Sequence, residues 1–283
     1  MAPGEIIIAA AARHALFSAR IRPDGATVMD PQAVLSLGTG NRWARRYGGR
    51  TLLRRVTVRL RRPLGEWVAR RFDRRHGVDT GGEIASRRLE VLGAHAAAGA
   101  DFMSTPPRTF RRSLRGLPED LSGFAFIDIG CGKGRALLLA AAAAPFRRVI
   151  GIDHSPELVK VANRNIAAWR GPRRCHDVQA ICADAACFEL PPEPCILYFF
   201  GPIDDYTVLA AVLANVAASL RARPRPCYAI YVEDVMAPFP DAELRAAGFR
   251  PVRAPRIERF DAGITRHPLR HAVYSASGRE PGV

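Results

Sequence analysis

Short apolar runs alternate with longer amphipathic stretches from Phe124 to the end of the chain. An apolar run of about six residues between turn signals is typical of a buried strand, whereas apolar residues three or four positions apart indicate a helix. The strands predicted in this way are Phe124–Ile129, Arg147–Asp153, Val178–Cys182, Cys195–Phe200, Cys227–Val232, Val252–Phe260 and His271–Ala276. The predicted helices are Arg135–Ala144, Ser155–Trp169, Asp204–Ala222 and Asp241–Phe249.

This alternation predicts an α/β domain over residues 121–280. Strands that are apolar throughout are buried on both faces, so we expect a doubly wound, mostly parallel, seven-stranded sheet with helices on both sides. In such sheets ligands bind at the carboxyl ends of the strands. The turns that follow the predicted strands are therefore where functional residues are expected.

The first 120 residues show weaker patterning. Residues 1–50 carry scattered glycine and proline with little periodicity, so we expect a weakly ordered segment there. Residues 51–120 predict a basic, mostly helical extension or lid. Within it, Thr51–Arg75 combines an arginine-rich face with spaced apolar residues, and Pro63 breaks or starts a helix. Such a helix can lie on a membrane surface, but packing of its apolar side on its own domain is the favoured interpretation.

The charge of the chain is high and uneven. The formal net charge is +15, and residues 1–122 hold 22 arginines against 11 acidic residues. Lysine occurs only at Lys133 and Lys160, and arginine in place of lysine is typical of GC-rich coding without any functional demand. The charge therefore permits a polyanionic partner but does not establish one, because net charge bears on association rather than on fold.

Several classes of protein are disfavoured by composition. No apolar run approaches the ~20 residues that a membrane span needs, and Glu5–Ala12 lacks the basic start of a signal peptide, so we expect no membrane span and a cytoplasmic protein. None of the six cysteines forms a C-x-x-C pair, and their spacing is not that of a zinc site. We expect no metal and reduced thiols that behave as small buried hydrophobes, Cys182 and Cys195 among them.

A glycine-rich turn follows the first predicted strand. Gly130, Gly132 and Gly134 stand at alternate positions, Asp128 precedes them, and the next strand ends at Asp153. A strand, a glycine turn and a helix make a site for an anion or a nucleotide, because the backbone can approach the ligand and the helix start offers free N–H groups. An acid at the end of the second strand is placed to accept hydrogen bonds from ribose hydroxyls.

The spacing in this turn indicates which nucleotide is bound. The dinucleotide fingerprint is G-x-G-x-x-G, whereas here the third glycine comes one residue early and Arg135 stands in its place. Asp128 would repel a pyrophosphate but would attract a cationic amino group, such as that of S-adenosylmethionine (SAM). The phosphate-binding P-loop pattern is absent.

These residues resemble the class I SAM-dependent methyltransferases, whose fold is Rossmann-like. Together with Phe72–Ile84 and Pro224–Val232, they are similar to a bacterial methyltransferase-like group of unassigned substrate that is distantly like the Dot1 lysine methyltransferases. The resemblance implies SAM as the cofactor. It implies that the turn lines the methionine part of SAM, that Asp128 orients its amino group and that Asp153 holds the ribose. It places His154, Asp184 and Ala185 around the adenine. The implied cofactor-binding residues are Asp128, Gly130, Cys131, Gly132, Gly134, Asp153, His154, Asp184 and Ala185.

The sequence indicates the acceptor site less clearly than the cofactor site. Methyl transfer from a sulfonium needs mainly alignment of the two reactants, so no catalytic triad is expected and none is visible. The acceptor is expected beyond the fourth strand, under a lid formed by Gly77–Ile84 and Asp101–Phe110. The candidate pocket residues are Tyr198, Phe200, Gly201, Pro202, Thr80 and Thr105. In enzymes that methylate exocyclic amines, [DNS]-P-P-[YF] often stands where this chain has Gly201-Pro202-Ile203, so that activity is doubtful here.

The function that follows is SAM-dependent methyl transfer to an unidentified acceptor, with a small molecule or a protein side chain favoured. The alternatives are an RNA methyltransferase and a non-catalytic nucleic-acid-binding module. A nicotinamide-dependent oxidoreductase is less favoured, because of the glycine spacing and Asp128. Nucleic acid is a possible but not favoured partner, and the sequence leaves the oligomeric state open.

Overall fold

The computed structural model describes residues 67–84, 91, 102–201, 206–235, 237–258 and 268–276, and the backbone of two short strands nearer the start. The chain divides into two compact units, residues 1–57 and 58–283. In the first unit, strand β1 (Ala19–Ile21) pairs antiparallel with strand β2 (Thr27–Met29). Pro63 and Pro202, which the sequence singled out, lie outside the described residues.

The second unit contains the predicted α/β elements. Its helices are α1 (67–76), α2 (Pro107–Ser113), α3 (Arg135–Ala143), α4 (Pro156–Ala168), α5 (Tyr206–Ala222) and α6 (Asp241–Ala246). Its strands are β3 (Glu83–Ile84), β4 (Phe102–Met103), β5 (Ala125–Ile129), β6 (Arg148–Asp153), β7 (Val178–Cys182), β8 (Cys195–Phe200), β9 (Cys227–Asp234), β10 (Arg250–Pro251), β11 (Arg256–Glu258) and β12 (Leu269–Ala276). Among the helices described, none combines the length and the apolar character needed to cross a membrane.

The main sheet has the order β7, β6, β5, β8, β9, β12, with β10 and β11 both on the outer edge of β12. The strands from β7 to β9 run parallel, and β12 is antiparallel to β9. The chain moves outward from β5 to β7 and then returns to β8 on the other side of β5. This reversal opens a crevice at the carboxyl ends of β5 and β8, where ligands of such sheets bind.

The prediction of an α/β fold with a mostly parallel sheet is confirmed, with one difference at the edge. Within the range Val252–Phe260, where one strand was predicted, the structure has the short strand β11, and a further short strand, β10, comes just before that range, so the sheet has eight strands in seven positions. Pro255 stands between the two and has no N–H for the ladder, which explains why the chain leaves the edge there.

Helices cover both faces of the sheet because successive side chains of a strand point to opposite sides. On one face, Phe126, Ile196 and Tyr198 pack with α2, α3 and α4. On the other, Ile127 and Leu197 pack with α5 and α6. Each fully buried side chain of this size contributes about 1.5–3 kcal/mol, so the two cores hold the crevice rigidly.

The expectation of buried thiols is wrong for two cysteines, Cys182 and Cys187, which are exposed. Cys182 is exposed because β7 is an edge strand in which only Ala180 is buried. Cys187 lies in the turn that follows β7. Cys195 lies on the central strand β8 and is buried as expected.

Candidate functional site

The glycine turn joins β5 to α3 at the crevice. Gly130, Gly132 and Gly134 have φ values of 76°, 52° and 83°, a region that side chains other than glycine rarely adopt. The N–H groups of Gly130 and Cys131 both donate to the carbonyl of Ile152, at 2.8 and 3.0 Å, which fastens the turn to β6. The turn thus has no side chains at its three glycines, and its hydrogen bonds anchor it to β6.

Phe102 covers the middle of this turn. A Cβ atom built on Gly132 would overlap the Phe102 ring, so the ring lies directly on the bare backbone. The ammonium of Lys133 lies 5.8 Å from the centre of the same ring, within cation–π range. Strand β4, from the segment predicted to be a lid, therefore covers the glycine turn.

Replacing Gly132 with alanine should weaken cofactor binding roughly tenfold or more, since a left-handed residue costs about 1–2 kcal/mol and the new methyl group would displace Phe102 or the turn. Calorimetric titration with S-adenosylhomocysteine (SAH) measures the effect. Gly123→Ala is the matched control, because a Cβ there would meet nothing within 4 Å. Equal affinity of the two variants would show that the turn does not contact the cofactor.

Asp128 is the second-last residue of β5 and lies inside the crevice with 3% of its surface exposed. Burial, with the neighbouring Asp153 carboxylate as the second cause, raises the pKa of Asp128 to about 8. Its neighbours in the sheet are Gly151 and Tyr198, neither of which is a cation. A buried carboxylate in this state is a site for a positively charged group.

Asp153 ends β6, and its carboxylate connects two elements. Oδ2 accepts a hydrogen bond from Gly132 N–H at 2.8 Å, and Oδ1 accepts one from Ser155 N–H, at the start of α4, at 2.9 Å. Burial raises the pKa of Asp153, although these hydrogen bonds oppose the change. Each oxygen keeps further acceptor capacity, so the carboxylate can fix the turn and still receive a hydroxyl.

The residues expected around the adenine lie next to Asp153. His154 and Asp184 are half-buried, and Ala183 N–H donates to the carbonyl of Asp153 at 3.0 Å. Asp184 Oδ1 accepts a hydrogen bond from Ala186 N–H at 2.9 Å, which gives it a turn-forming role as well. Ala185 stands half-buried in the same turn. The structure therefore brings these side chains to one end of the crevice.

A buried ion pair fastens the N-terminal segment to the glycine turn. Arg135, the first residue of α3, is 2% exposed. Its Nε donates to Thr80 Oγ1 at 2.7 Å, and its Nη2 lies 3.3 Å from Asp73 Oδ1. Asp73 in turn accepts hydrogen bonds from Thr80 Oγ1 at 2.6 Å, Thr80 N–H at 3.0 Å and Gly81 N–H at 2.8 Å. We call Asp73, Thr80 and Arg135 the buried clasp.

A second set of contacts reinforces this attachment. Lys133 Nζ donates to Asp79 Oδ1 and to the carbonyl of Gly81, each at 3.0 Å. Asn165 of α4 donates to the carbonyls of Asp79 and Lys133, at 2.7 and 2.9 Å, and accepts from Asp79 N–H at 2.8 Å. The segment 73–81 is thus part of the same rigid site as the glycine turn.

Sequence reasoning singled out Thr80 but missed Asp73, Asn165 and the role of Arg135. One signal was available: an arginine opening a buried helix, directly after the third glycine, needs an anion nearby. The partner could not be named, because Asp73 is 62 residues away along the chain.

The candidate residues of the acceptor pocket differ in how deeply they are buried. Tyr198 is fully buried, with its ring 5.3 Å from that of Phe110, and none of the described residues gives its hydroxyl a regular hydrogen bond. Thr105 is buried on the same side, and Phe200 is half-buried. Gly201 directly follows β8 with φ 49°, and a Cβ there would lie 3.3 Å from Glu233 Oε1. Of these candidates, Phe200 and Gly201 are the more accessible.

Comparison with known proteins identifies the central part of this unit. Residues 126–223 match the family model described as Methyltransferase domain. The matched stretch contains the glycine turn and the acids at the carboxyl ends of β5 and β6. No curated protein sequence matches the chain significantly.

Solved methyltransferase structures are similar to the chain at low identity. Magnesium protoporphyrin IX methyltransferase from Synechocystis PCC 6803, with bound SAM, is 18% identical, with 60% of this chain and 79% of that chain covered and a TM-score of 0.42. The N-methyltransferase NodS from Bradyrhizobium japonicum WM9, in complex with SAH, is 12% identical, with 60% and 86% covered and a TM-score of 0.43. Ribosomal protein L11 methylase from Lactobacillus delbrueckii subsp. bulgaricus is 16% identical, with 59% and 78% covered and a TM-score of 0.40.

Proposed function

We propose that this chain, which carries a class I SAM-dependent methyltransferase domain of Rossmann-like fold, methylates a small molecule or a protein side chain. The acceptor would bind beyond the carboxyl ends of β8 and β9, beside the cofactor. The observation that carries the proposed methyl transfer is the glycine turn between β5 and α3, flanked at the switch point of the sheet by the buried carboxylates of Asp128 and Asp153. The proposed compartment is the cytoplasm.

The residues of the crevice fit SAM. Asp128 would pair with its ammonium, the bare backbone of Gly130–Gly134 would lie along its methionine part, and Asp153 would accept from its ribose hydroxyls. When bound, SAM would supply a methyl group on its sulfonium sulfur: an acceptor atom would bond to the methyl carbon in line with the C–S bond, that bond would break, and SAH would leave. The chain itself has to hold the acceptor in line and exclude water, and Phe102 over the glycine turn serves the second purpose.

The same carboxylates argue against a nicotinamide dinucleotide. Asp128 and Asp153 lie close enough for the charge of one to raise the pKa of the other. A pyrophosphate beside them would add negative charge to a site that already disfavours it. A ligand with an amino group and no phosphate satisfies the site instead.

The mouth of the crevice offers a carboxylate to the acceptor. Glu233, near the end of β9, has Oε1 beside Gly201, where it also accepts a hydrogen bond from Asp234 N–H at 2.8 Å. A carboxylate in this position can hold an amino or hydroxyl group and can receive its proton as the methyl group arrives. We therefore propose Glu233 as an acceptor-orienting residue.

Transfer of a labelled methyl group tests the proposed acceptor class. The protein is incubated with methyl-labelled SAM and fractionated cell extract, with samples treated by protease or ribonuclease before separation. The proposal expects label in small molecules or in protease-sensitive material. Label that ribonuclease removes would instead establish an RNA acceptor, and the Gly132→Ala variant serves as the control for background labelling.

A further inference from the structure

A shallow cleft opens at the outer edge of the sheet, between the end of α2 and the β10–β11 segment. Alanine and valine side chains form its floor, and no acidic residue is among the described residues that line it. We call it the arginine cleft, after the basic side chains around it: Arg112, Arg115, Arg253, Arg256 and His271.

The positive charge of the arginine cleft is only partly neutralised. Glu258, which is 6% exposed, forms an ion pair with Arg112, and its Oε1 lies 3.2 Å from His271 Nε2. No described carboxylate lies within 4 Å of the other three guanidinium groups. Four arginines against one glutamate leave a formal charge of +3 with His271 neutral, which is enough to attract a multiply charged anion.

The backbone that carries Arg253 and Arg256 is fastened to the sheet. Strands β10 and β11 both pair with β12, and Val252 N–H donates to the carbonyl of Val273 at 2.8 Å between them. Arg253 lies on the backbone at Gly116, where a Cβ would be 3.0 Å from Nε. The side chains of Arg115, Arg253 and Arg256 are exposed, so they can reach an anion from a backbone whose position is already fixed.

We propose that the arginine cleft binds a phosphate group carried by the methyl acceptor. Guanidinium groups form paired hydrogen bonds with phosphate oxygens, and several of them together match a doubly charged group better than a single carboxylate does. The aromatic ring among the described lining residues is that of His271, which is only 4% exposed and offers no face on which a base could stack, so recognition is limited to the phosphate. Because it describes the acceptor, this inference rests on the proposed function.

The cleft lies within reach of the methyl-transfer site. Gly201 N–H donates to the carbonyl of Val232, Val232 is opposite His271, and His271 is opposite Arg256. Three strand spacings of about 4.8 Å each separate the end of β8 from the arginine of the edge strand, roughly 14 Å in all. An acceptor of moderate size can therefore have its phosphate in the cleft and its reactive atom at the end of β8.

Calorimetric titration with inorganic phosphate, at constant ionic strength held with chloride, tests the proposal. The full chain is compared with the double variant Arg115→Gln/Arg253→Gln and with Arg164→Gln/Arg221→Gln, which removes the same charge from exposed positions elsewhere. We expect the first double variant to bind phosphate roughly tenfold more weakly and the second to bind it as the unchanged chain does. Both should bind SAH normally.

Two results would overturn the inference: no saturable phosphate binding by the unchanged chain, or an equal loss in both double variants. If either occurs while SAH still binds, the arginine cleft is refuted and the proposed function stands; loss of SAH binding by the unchanged chain would refute the function itself. Glycerol 3-phosphate and a short RNA without terminal phosphates are then added as competitors. Competition by the first assigns a phosphate monoester, and competition by the RNA assigns phosphodiesters.

Discussion

Replacing Arg135 with methionine is expected to lower the free energy of unfolding by about 3–5 kcal/mol, because it removes one partner of a buried ion pair and leaves Asp73 uncompensated. Methionine keeps only the aliphatic part of the side chain. The charge, the hydrogen bonds and the cation–π contact of the guanidinium with Phe72, at 4.9 Å from the ring centre, are all lost. Urea unfolding measures the change.

The same substitution should also weaken SAH binding by more than roughly tenfold. The buried clasp holds the segment 73–81 against the glycine turn, and 1.4 kcal/mol of lost positioning already corresponds to tenfold. Lys160→Met is the matched control, because Lys160 is exposed on α4 and lies outside both the buried clasp and the contacts that reinforce it. Arg135→Lys, which keeps the charge, should be intermediate. Unfolding and SAH binding of Arg135→Met equal to those of the unchanged chain would contradict the clasp.

Replacing Asp128 with asparagine should stabilise the ligand-free protein as the pH rises. The folded protein keeps a proton on Asp128 up to a pKa of about 8, whereas the unfolded chain loses it near 3.8. Between these values the folded state binds more protons, so stability falls with pH by about 1.4 kcal/mol per unit for this group. Asparagine has no such titration. Between pH 5.5 and 7.5, the unfolding free energy of the variant should rise by about 3 kcal/mol relative to that of the unchanged chain. If the two unfolding free energies change in parallel with pH, Asp128 does not hold a buried proton.

The stabilised variant should nevertheless lose the cofactor. Leaving an ammonium without its buried carboxylate partner costs about 2–5 kcal/mol, so SAH affinity should fall by roughly thirtyfold or more. The control is a ligand rather than a variant: 5′-methylthioadenosine lacks the amino acid part and should bind Asp128→Asn as it binds the unchanged chain. Equal losses for both ligands would place Asp128 away from the amino group.

The repetitive part of the fold was predictable from local pattern. The strands Val178–Cys182 and Cys195–Phe200 have the predicted boundaries, because turn residues end each apolar run sharply. The helix predicted at Ser155–Trp169 spans Pro156–Ala168, with Ser155 as the predicted cap. The split edge strand was missed because apolar content there outweighed the effect of Pro255.

The site was predictable only where the chain itself brings residues together. Asp128 and the glycine turn are adjacent in sequence, and Asp153 follows in the neighbouring strand, so topology alone places them at one crevice. The attachment of Asp73 to Arg135 depends on how a distant segment docks, and the hydrophobic periodicity of the sequence does not predict that docking. The acceptor site depends on side chains from several strand ends, and its roles remain predictions.

Binding of the cofactor is the most direct test of a methyltransferase site in this crevice. The full chain is titrated calorimetrically with SAM, SAH and NADH, and the series is repeated with Asp153→Ala, which removes the acceptor of the Gly132 N–H bond. SAM and SAH should bind with one site per chain, NADH should not bind, and Asp153→Ala should lose most of the affinity for both. Binding of NADH without SAM or SAH would contradict the proposed function.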